Sequence, residues 1–276
     1  MLPKANTNTK QTLRKARGIA RVAFWICLLS AFLAGGIYAA QRIEQFFIHD
    51  PHFLLAAPED YGQESPNLQI EGVQYASRAQ ILRMFAPDLG RSLYLFPMAD
   101  RRRGLLKINW IQDASIVRVW PNHVTVRVHE RQPAAFVAIP FGPMSRYALI
   151  DAAGVILEPP ARARFNLPVL TGVSLSENEA ARSRAVRRMQ GLMRDLGPLA
   201  SRVSEVDAGD LDNLKVRLQM QNQMALLYLG DGNFASRLRM FLDNYPDIQT
   251  RKPGVSTFDL RIDENITAIE GPPNGQ

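Results

Sequence analysis

The first strong pattern along the chain is an apolar run near the N-terminus. Residues 22–40 contain no charged side chain, and as a helix these nineteen residues span about 28 Å, close to the thickness of the hydrocarbon layer of a bilayer. Basic residues precede the run and acidic residues follow it. The positive-inside rule therefore predicts a transmembrane helix with residues 1–21 in the cytoplasm and the rest of the chain exported.

A cleaved signal peptide is the alternative interpretation of the same run. Its apolar length exceeds the usual range of about 7 to 15 residues. The small residues that could mark a cleavage site are also poorly placed, because Ala34 and Gly36 lie inside the run and Tyr38 precedes Ala40 by two positions. We therefore favour an uncleaved anchor.

The exported part begins with a predicted linker and continues with a predicted small domain. Residues 41–48 can extend the helix, whereas the remainder of 41–67 lacks periodicity and contains three prolines. Residues 68–136 then show a dense pattern with the order β-α-α-β-β. Its two helices are marked by Ser77 as a cap and by Pro97 at a position where proline is tolerated.

The strands of this small domain differ in how clearly the sequence marks them. Short strands are predicted at 68–71 and 93–96, and a closing hairpin at 114–120 and 123–131. The last strand alternates three valines with polar residues, which is the period-two pattern of a sheet with one buried face. The second helix is predicted to end near Ile108.

Residues 137–270 are predicted to form a second, β-richer domain, followed by a flexible tail at 271–276. The predicted helices are 177–196 and 234–245, the latter ending before Pro246. The predicted strands are 146–150, 155–157, 203–207, 214–220, 224–229, 257–262 and 266–269, the last two forming a hairpin. The whole chain is therefore assigned to the α+β class with one transmembrane helix.

Composition and charge limit the classes of partner. The chain has 276 residues, of which 46% are hydrophobic and 21% are charged, which excludes wholesale disorder. Six of the 33 basic residues lie in residues 1–40, so residues 41–276 carry 27 basic and 26 acidic groups. This near-neutral body argues against a nucleic-acid partner. The single cysteine, Cys27, excludes an intramolecular disulfide.

Several motifs along the chain are similar to patterns of one known protein family. Residues 109–121 (NWIQDASIVRVWP) are similar to the family pattern W-V-x-x-A-x-V-x-R-x-W-P, and residues 126–133 (VRVHERQP) are similar to V-x-E-x-x-P. Further similar segments, in the family's order, are LIDAAG at 149–154, LPVLTG at 167–172, LG at 229–230, RLRMF at 237–241 and FDLR at 258–261. Together these motifs resemble the FtsQ/DivIB family of bacterial cell-division proteins. The resemblance covers the membrane span and nearly everything after residue 68.

This resemblance implies a POTRA domain followed by the family's β domain, in a non-enzymatic inner-membrane protein concentrated at the division septum. It implies a scaffold that binds the FtsB/FtsL complex, links early and late division proteins and controls septal peptidoglycan synthesis. Other division proteins would bind through the POTRA domain and the membrane helix, and no cofactor is implied. The partner-binding residues that we expect are Arg237, Phe258, Leu260, Arg261, Ile262, Asn265, Ile266 and Ala268.

A physical argument favours the same C-terminal region. A final strand beside the chain terminus tends to lie at a sheet edge, where unpaired N–H and C=O groups can be completed by another chain. Arg261 could add a charge-assisted contact to a partner carboxylate. The alternative is that these residues only close the domain's own sheet.

Two departures from the family bear on binding. Asp231 stands where a basic residue is common in the family, and the closing segment, which ends at Glu270, lacks the terminal aromatic residue that relatives can have.

The remaining chemical candidates are weak. His49 and His52 are spaced like metal ligands on a helix, but Pro51 disfavours a helix between them. No G-x-S-x-G, P-loop, G-x-G-x-x-G or H-E-x-x-H motif occurs. We interpret Arg101, Arg102 and Arg103 as a solvated helix face. We expect Trp110 and Trp120 to be buried against the two helices of the small domain.

Two rival functions remain at this stage. The first is a POTRA-bearing module for envelope protein assembly or secretion. That role usually involves several POTRA repeats and a barrel, whereas this sequence contains one repeat and no barrel-length series of strands. The second rival is an envelope hydrolase, against which the lack of a catalytic motif is the main argument.

Overall fold

The computed structural model describes residues 7–58, 65–141, 144–221 and 223–269, so that Glu270 and the predicted tail at 271–276 lie outside the described residues. The described chain is an α+β protein that begins with a long helix, α1 (Thr7–His49). Within its stretch Phe24–His49, the most apolar window of 18 residues has a mean hydropathy of 1.6, and none of that window is buried by the rest of the chain. By length and composition this helix can cross a membrane, as the apolar run predicts.

The POTRA-type region forms a three-stranded sheet covered by two short helices. Strands β1, β3 and β2 lie in that order, with β1 parallel to β3. The three alternating valines of β3, Val124, Val126 and Val128, are all buried, as the period-two pattern predicts. The elements are β1 (Leu68–Glu71), α2 (Arg78–Phe85), α3 (Met98–Leu105), β2 (Ile111–Val119) and β3 (His123–Glu130).

Two predictions for this region are wrong. The segment predicted as a strand at 93–96 is a 3₁₀ turn, Leu93–Leu95, because the Ser92 hydroxyl caps it by accepting a hydrogen bond from the Tyr94 N–H at 3.2 Å. Helix α3 ends at Leu105 rather than near Ile108. Four consecutive large apolar residues fit either local structure, and the polar cap preceding them favours the turn.

Two of the aromatic and basic predictions are also wrong. Trp110 is buried at 7% exposure, as expected, but Trp120 is half exposed at 50%. Arg101 is not a solvated residue, because its Nε and Nη2 atoms donate to the Asp88 carboxylate at 2.5 and 2.9 Å. Asp88 is only 4% exposed, and these hydrogen bonds raise the pKa of the Arg101 guanidinium above its ordinary value.

The β-rich region contains a nine-stranded sheet with two helices. The strand order is β12-β11-β10-β9-β8-β7-β4-β5-β6. The strands are β4 (Pro133–Phe141), β5 (Met144–Asp151), β6 (Ile156–Leu157), β7 (Val169–Thr171), β8 (Val203–Asp207), β9 (Leu214–Gln219), β10 (Met224–Gly230), β11 (Thr257–Asp259) and β12 (Thr267–Ala268). The helices are α4 (Glu179–Leu196) and α5 (Phe234–Arg251).

The two helices connect parallel strands of this sheet. Parallel neighbours need a crossover connection, which is usually a helix; here α4 connects β7 to β8, and α5 connects β10 to β11. One continuous core contains residues of both helices and of the strands. In it, the rings of Phe241 and Phe258 lie 5.0 Å apart, so the strand next to the sheet edge is fixed to α5.

The predicted C-terminal hairpin is confirmed, since β11 and β12 pair antiparallel. Strand β4 was not predicted, and α5 extends through Pro246 to Arg251 instead of ending before that proline. Strand β7, whose residues belong to the segment LPVLTG, was also not predicted as a strand.

The internal contacts divide the described residues into two compact units. The first contains the residues up to Glu71 together with Ala79–Arg102 and Ser115–Arg127. The second contains Gly72–Arg78, Arg103–Ala114 and the residues from Val128 onward. Helix α1 therefore belongs to the first unit and the nine-stranded sheet to the second.

Candidate protein-interaction edge

Strand β12 forms one edge of the nine-stranded sheet. Its inner neighbour is β11, and none of the described residues pairs with its outer side. The Ile269 N–H donates inward to the Thr257 carbonyl at 2.9 Å. Because hydrogen-bonding directions alternate along an antiparallel strand, the N–H and C=O of Ala268 point outward. The edge therefore presents backbone groups that a further strand could pair with.

The side chains predicted to bind a partner fall into buried and exposed groups. Phe258 and Leu260 are fully buried in the core, so they can shape the edge but do not face solvent. The half-buried Ile266 and Ala268 pack against the same core. The exposed members of the predicted set are Arg261, Ile262 and Asn265, of which Ile262 is 68% exposed.

Arg237, on α5, fixes the loop that leads from β11 to β12. Its side chain is 8% exposed; Nη1 donates to the Leu229 carbonyl at 2.6 Å, and Nε donates to Asp263 Oδ1 at 2.8 Å. The Asn233 amide donates to Asp263 Oδ2 at 3.1 Å. The hydrogen bond from Arg237 lowers the pKa of the Asp263 carboxyl below its ordinary value. Arg237 thus acts through this loop rather than as an exposed contact.

Gly230 allows this arrangement at the end of β10. Its φ is +74°, a left-handed conformation that glycine adopts without steric cost. A Cβ atom there would lie 3.0 Å from Arg237 Nη1 and 3.4 Å from Arg261 Cγ. The Leu-Gly pair at 229–230 therefore provides both a carbonyl for the guanidinium and the space beside it.

Arg261 already has a carboxylate partner within its own chain. Its Nη2 donates to Asp259 Oδ2 at 2.6 Å and its Nε donates to Oδ1 at 2.9 Å. The hydrogen bonds from Arg261 lower the pKa of the Asp259 carboxyl. The guanidinium carbon also lies 5.8 Å from the centroid of the Tyr228 ring, within cation–π range. A partner carboxylate would therefore share Arg261 with Asp259.

Strands β8 and β9, which β10 and β11 separate from β12, carry a ladder of charged pairs. Lys215 pairs with Asp207 at 3.1 Å, and Arg217 pairs with Glu205 at 3.4 Å. Lys215 Nζ also lies 5.4 Å from the centroid of the Tyr228 ring. Charges of both signs alternate here, so this inner part of the sheet is polar without a single dominant sign.

Sequence reasoning missed Asp259, Asp263 and Asn233 as parts of the edge. Asp259 stands in the FDLR segment, so the motif contained a signal for it. Asp263 lies 26 positions from Arg237, and no spacing rule connects two residues that meet only in the folded sheet. Asp231, the departure from the family noted above, is exposed, and its carbonyl accepts a hydrogen bond from Arg188 at 2.6 Å.

The POTRA motif residues have structural roles in the second unit. The Glu130 carboxylate accepts hydrogen bonds from the backbone N–H groups of Gln74, Tyr75 and Ala76 at 2.8–3.0 Å. The Trp110 indole donates to the Glu158 carbonyl at 2.9 Å. These contacts explain why a glutamate and a tryptophan stand in those two motif positions.

The histidines considered as metal ligands have other contacts. His49 Nδ1 lies 3.0 Å from the Gln45 carbonyl, and His52 Nδ1 lies 2.8 Å from Asp50 Oδ1. Across the ranges that the structure describes, no three His, Cys, Asp or Glu side chains are grouped so that they could hold a metal ion.

Comparison with known proteins gives two family matches. Residues 66–131 match the POTRA domain, FtsQ-type, and residues 142–261 match the cell division protein FtsQ/DivIB, C-terminal domain. Cell division protein FtsQ of Koribacter versatilis is 28% identical over 259 residues, which cover 92% of this chain and 71% of the relative. The FtsQ protein of Nitrosospira multiformis is 24% identical over 91% of this chain and 96% of its own length. That of Bordetella pertussis is 28% identical over 42% of this chain and 38% of its own length.

The fold and these matches define a class of protein that carries one N-terminal apolar helix, a POTRA domain and a β-rich domain with two helices. The chain belongs to the FtsQ/DivIB family. It is therefore a cell-division protein, and its single apolar helix is that of a single-pass membrane protein.

Proposed function

We propose that this protein is a non-enzymatic scaffold of the division septum that binds the FtsB/FtsL complex through the outer side of β12. Such a scaffold would link early and late division proteins and thereby control septal peptidoglycan synthesis. Its N-terminal tail would lie in the cytoplasm and its two domains in the periplasm. The POTRA domain and the membrane helix would be available to other division proteins.

The observation that supports this proposal best is the unpaired outer side of β12 among the described residues. A partner segment in the extended conformation could add a further strand there, gaining main-chain hydrogen bonds. The exposed side chain of Ile262 provides an apolar contact beside this edge, at 68% exposure. The family matches supply the cell-division context in which such a partner would be found.

Membrane anchoring would strengthen a modest interface. If the scaffold and its partner both sit in the same bilayer, the second binding event occurs at a high effective concentration. Two short strands can therefore suffice in the cell even where the isolated segments associate weakly. This argument depends on α1 crossing the membrane, for which its exposed apolar surface is the structural basis.

The direct test changes the outward backbone group at Ala268. Ala268→Pro removes the outward N–H while leaving the inward hydrogen bond of Ile269 in place, and proline is tolerated on an edge strand when its N–H side faces solvent. We expect this variant to lose capture of co-reconstituted FtsB/FtsL in a pull-down. Ala268→Ser keeps the N–H and is the matched control, so it should capture the complex as wild type does.

A second arm addresses the exposed side chains. Arg261→Glu combined with Ile262→Glu should abolish capture of FtsB, but it should also lower the melting temperature, because Arg261 pairs with Asp259. Ile262→Glu alone changes a side chain that is 68% exposed, so it should weaken capture while shifting the melting temperature little. Arg251→Glu, also exposed, controls for the change in charge. Full capture by both Ala268→Pro and the double variant would refute the proposed edge.

A further inference from the structure

A cluster of five aromatic rings joins the end of helix α1 to the POTRA region within the first unit. We name it the aromatic collar. The Phe47 ring lies 5.9 Å from Tyr94 and 5.8 Å from Trp120, measured between centroids, and the Phe53 ring lies 5.7 Å from Trp120. Phe46 completes the collar at 5.7 Å from Phe53. The collar therefore connects the helix directly to the 3₁₀ turn and to the residue that follows β2.

Hydrogen bonds to backbone carbonyl groups reinforce this joint between helix α1 and the POTRA region. The Ser92 hydroxyl donates to the Phe47 carbonyl at 2.5 Å. The Leu55 N–H donates to the Arg91 carbonyl at 2.9 Å, and the Gly90 N–H donates to the Leu55 carbonyl at 2.8 Å. Leu55 itself is fully buried. Residues 50–55 of the predicted linker thus hold the POTRA residues close to the helix end.

The collar shares Tyr94 and Trp120 with an exposed apolar surface, which we call the apolar tip. Its members are Tyr94 at 41%, Leu95 at 57%, Val119 at 48% and Trp120 at 50% exposure. Arg118 connects its two halves, since its Nη1 donates to the Leu93 and Tyr94 carbonyls at 3.2 and 3.1 Å. The Tyr94 and Trp120 rings lie 5.9 and 5.8 Å from the Phe47 ring, and Leu95 and Val119 are their exposed neighbours in sequence.

The position of the tip relative to a bilayer follows from the helix. Arg42 is the first charged residue after the apolar run, and its Nε donates to the Tyr38 hydroxyl at 3.1 Å. Both side chains favour the membrane interface. Phe46 and Phe47 lie four and five residues further, or about 6–8 Å along the helix axis. This distance is similar to the depth of the headgroup layer, about 5–8 Å on each side.

We propose that the apolar tip is a lipid-binding surface, seated in the headgroup layer of the leaflet from which α1 emerges at His49. Its occupant is the lipid bilayer itself, because the collar holds Tyr94 and Trp120 to Phe47, which lies about 8 Å along the helix axis from the interfacial Arg42. Tyrosine and tryptophan are the residues most enriched at this depth. This surface is separate from β12, and its role does not depend on the partner proposed there.

The test uses the full-length chain in nanodiscs made of phosphatidylethanolamine and phosphatidylglycerol, with no other protein from the division complex. Cys27 is the single cysteine, so Cys27→Ala provides a cysteine-free background. A nitroxide is attached at Leu95→Cys or, as the matched control, at Ser115→Cys. Ser115 is exposed and lies on β2, five residues before Trp120. Along the strand direction this separates it from the tip residue Trp120 by about 16 Å.

The readout is the collision of each nitroxide with oxygen, which concentrates in lipid, and with a water-soluble nickel chelate. We expect the oxygen-to-nickel ratio to be several-fold higher at position 95 than at position 115. Equal ratios at the two positions, or a water-exposed label at 95, would overturn the proposal and would instead leave the tip for a protein partner. Val119→Cys carries the same test if circular dichroism shows that Leu95→Cys is misfolded.

Discussion

Arg237 is the single residue that most directly determines the shape of the candidate edge. It is nearly buried, yet both of its described hydrogen bonds reach beyond α5, to the Leu229 carbonyl and to the Asp263 carboxylate. The carboxylates at Asp259 and Asp263 are both held by arginines, and both have pKa values below the ordinary value. The stability that these two ion pairs contribute is therefore linked to pH.

The sign of this linkage gives a prediction. A carboxylate whose pKa is lower in the folded protein stabilises the fold at neutral pH, and this contribution is lost as the pH falls through the folded-state pKa. Asp263→Asn should therefore melt at a lower temperature than wild type at pH 7, with a smaller difference at about pH 3, below the ordinary carboxyl pKa. Near-ultraviolet circular dichroism measures the melting temperature. The exposed Asp243→Asn is the control, and a pH-independent difference for Asp263→Asn would contradict the linkage.

Glu130 gives a prediction for the POTRA motif. Glu130→Gln replaces one carboxylate oxygen by a donor and removes the charge that three backbone N–H groups contact. Loss of these charge-assisted hydrogen bonds should lower the free energy of unfolding by about 1–3 kcal/mol.

Denaturant unfolding of the full-length protein in detergent measures this loss. Glu71→Gln is the matched control, because the ion pair between Glu71 and Arg127 is exposed and such pairs contribute about 0–1 kcal/mol. Equal losses in the two variants would show that the contacts of Glu130 are not specifically stabilising.

At the scale of single residues, the sequence could indicate the importance of Arg237 and Arg261 only through resemblance to known motifs. Both arginines were expected to bind a partner protein, whereas the folded chain buries Arg237 and pairs Arg261 with Asp259. Phe258 and Leu260 were expected to contact a partner, but they lie in the core. Local sequence does not reveal which side of a short strand faces a helix that is distant along the chain.

Among the secondary-structure elements, α5 departs most clearly from local propensity. Pro246 lies inside the helix, where it lacks an N–H and where its ring crowds the preceding turn. Pro246→Ala should raise the free energy of unfolding by about 1–2 kcal/mol, because it restores a helical hydrogen bond. The substitution also increases the conformational entropy of the unfolded chain, which offsets part of this gain. A shift of the urea midpoint would measure this. Pro253→Ala, in the exposed turn after α5, should shift it by less than about 0.5 kcal/mol; a midpoint lowered by Pro246→Ala would contradict the expectation.

The sequence predicted the alternating and well-capped elements best. The period-two valines predicted β3, and the helix predicted at 177–196 begins within two positions of α4 and ends at the same residue. Strand β4 was missed because a proline begins it and because its apolar residues are continuous rather than alternating. The burial of such a strand depends on neighbours that only the complete sheet provides.

For the whole molecule, the proposed scaffold predicts a cellular phenotype. Depleting the protein should give long, undivided cells, because septal synthesis would lose its link to the division site. Expression of the Ala268→Ser variant should restore normal cell length, whereas Ala268→Pro should not, and microscopy measures both. Normal division after depletion would contradict the proposed function, and rescue by Ala268→Pro would contradict the proposed edge.

The shortness of β12 has a consequence for how a complex would assemble. Among the described residues, β12 is held to β11 only by the pairing of Thr267 and Ala268 and by the Ile269 N–H, so this edge of the sheet has few internal hydrogen bonds when the protein is alone. An added strand would supply a comparable number from its other side. Recognition and local ordering would then occur in one step, and calorimetry of the association should show the negative heat-capacity change of coupled folding.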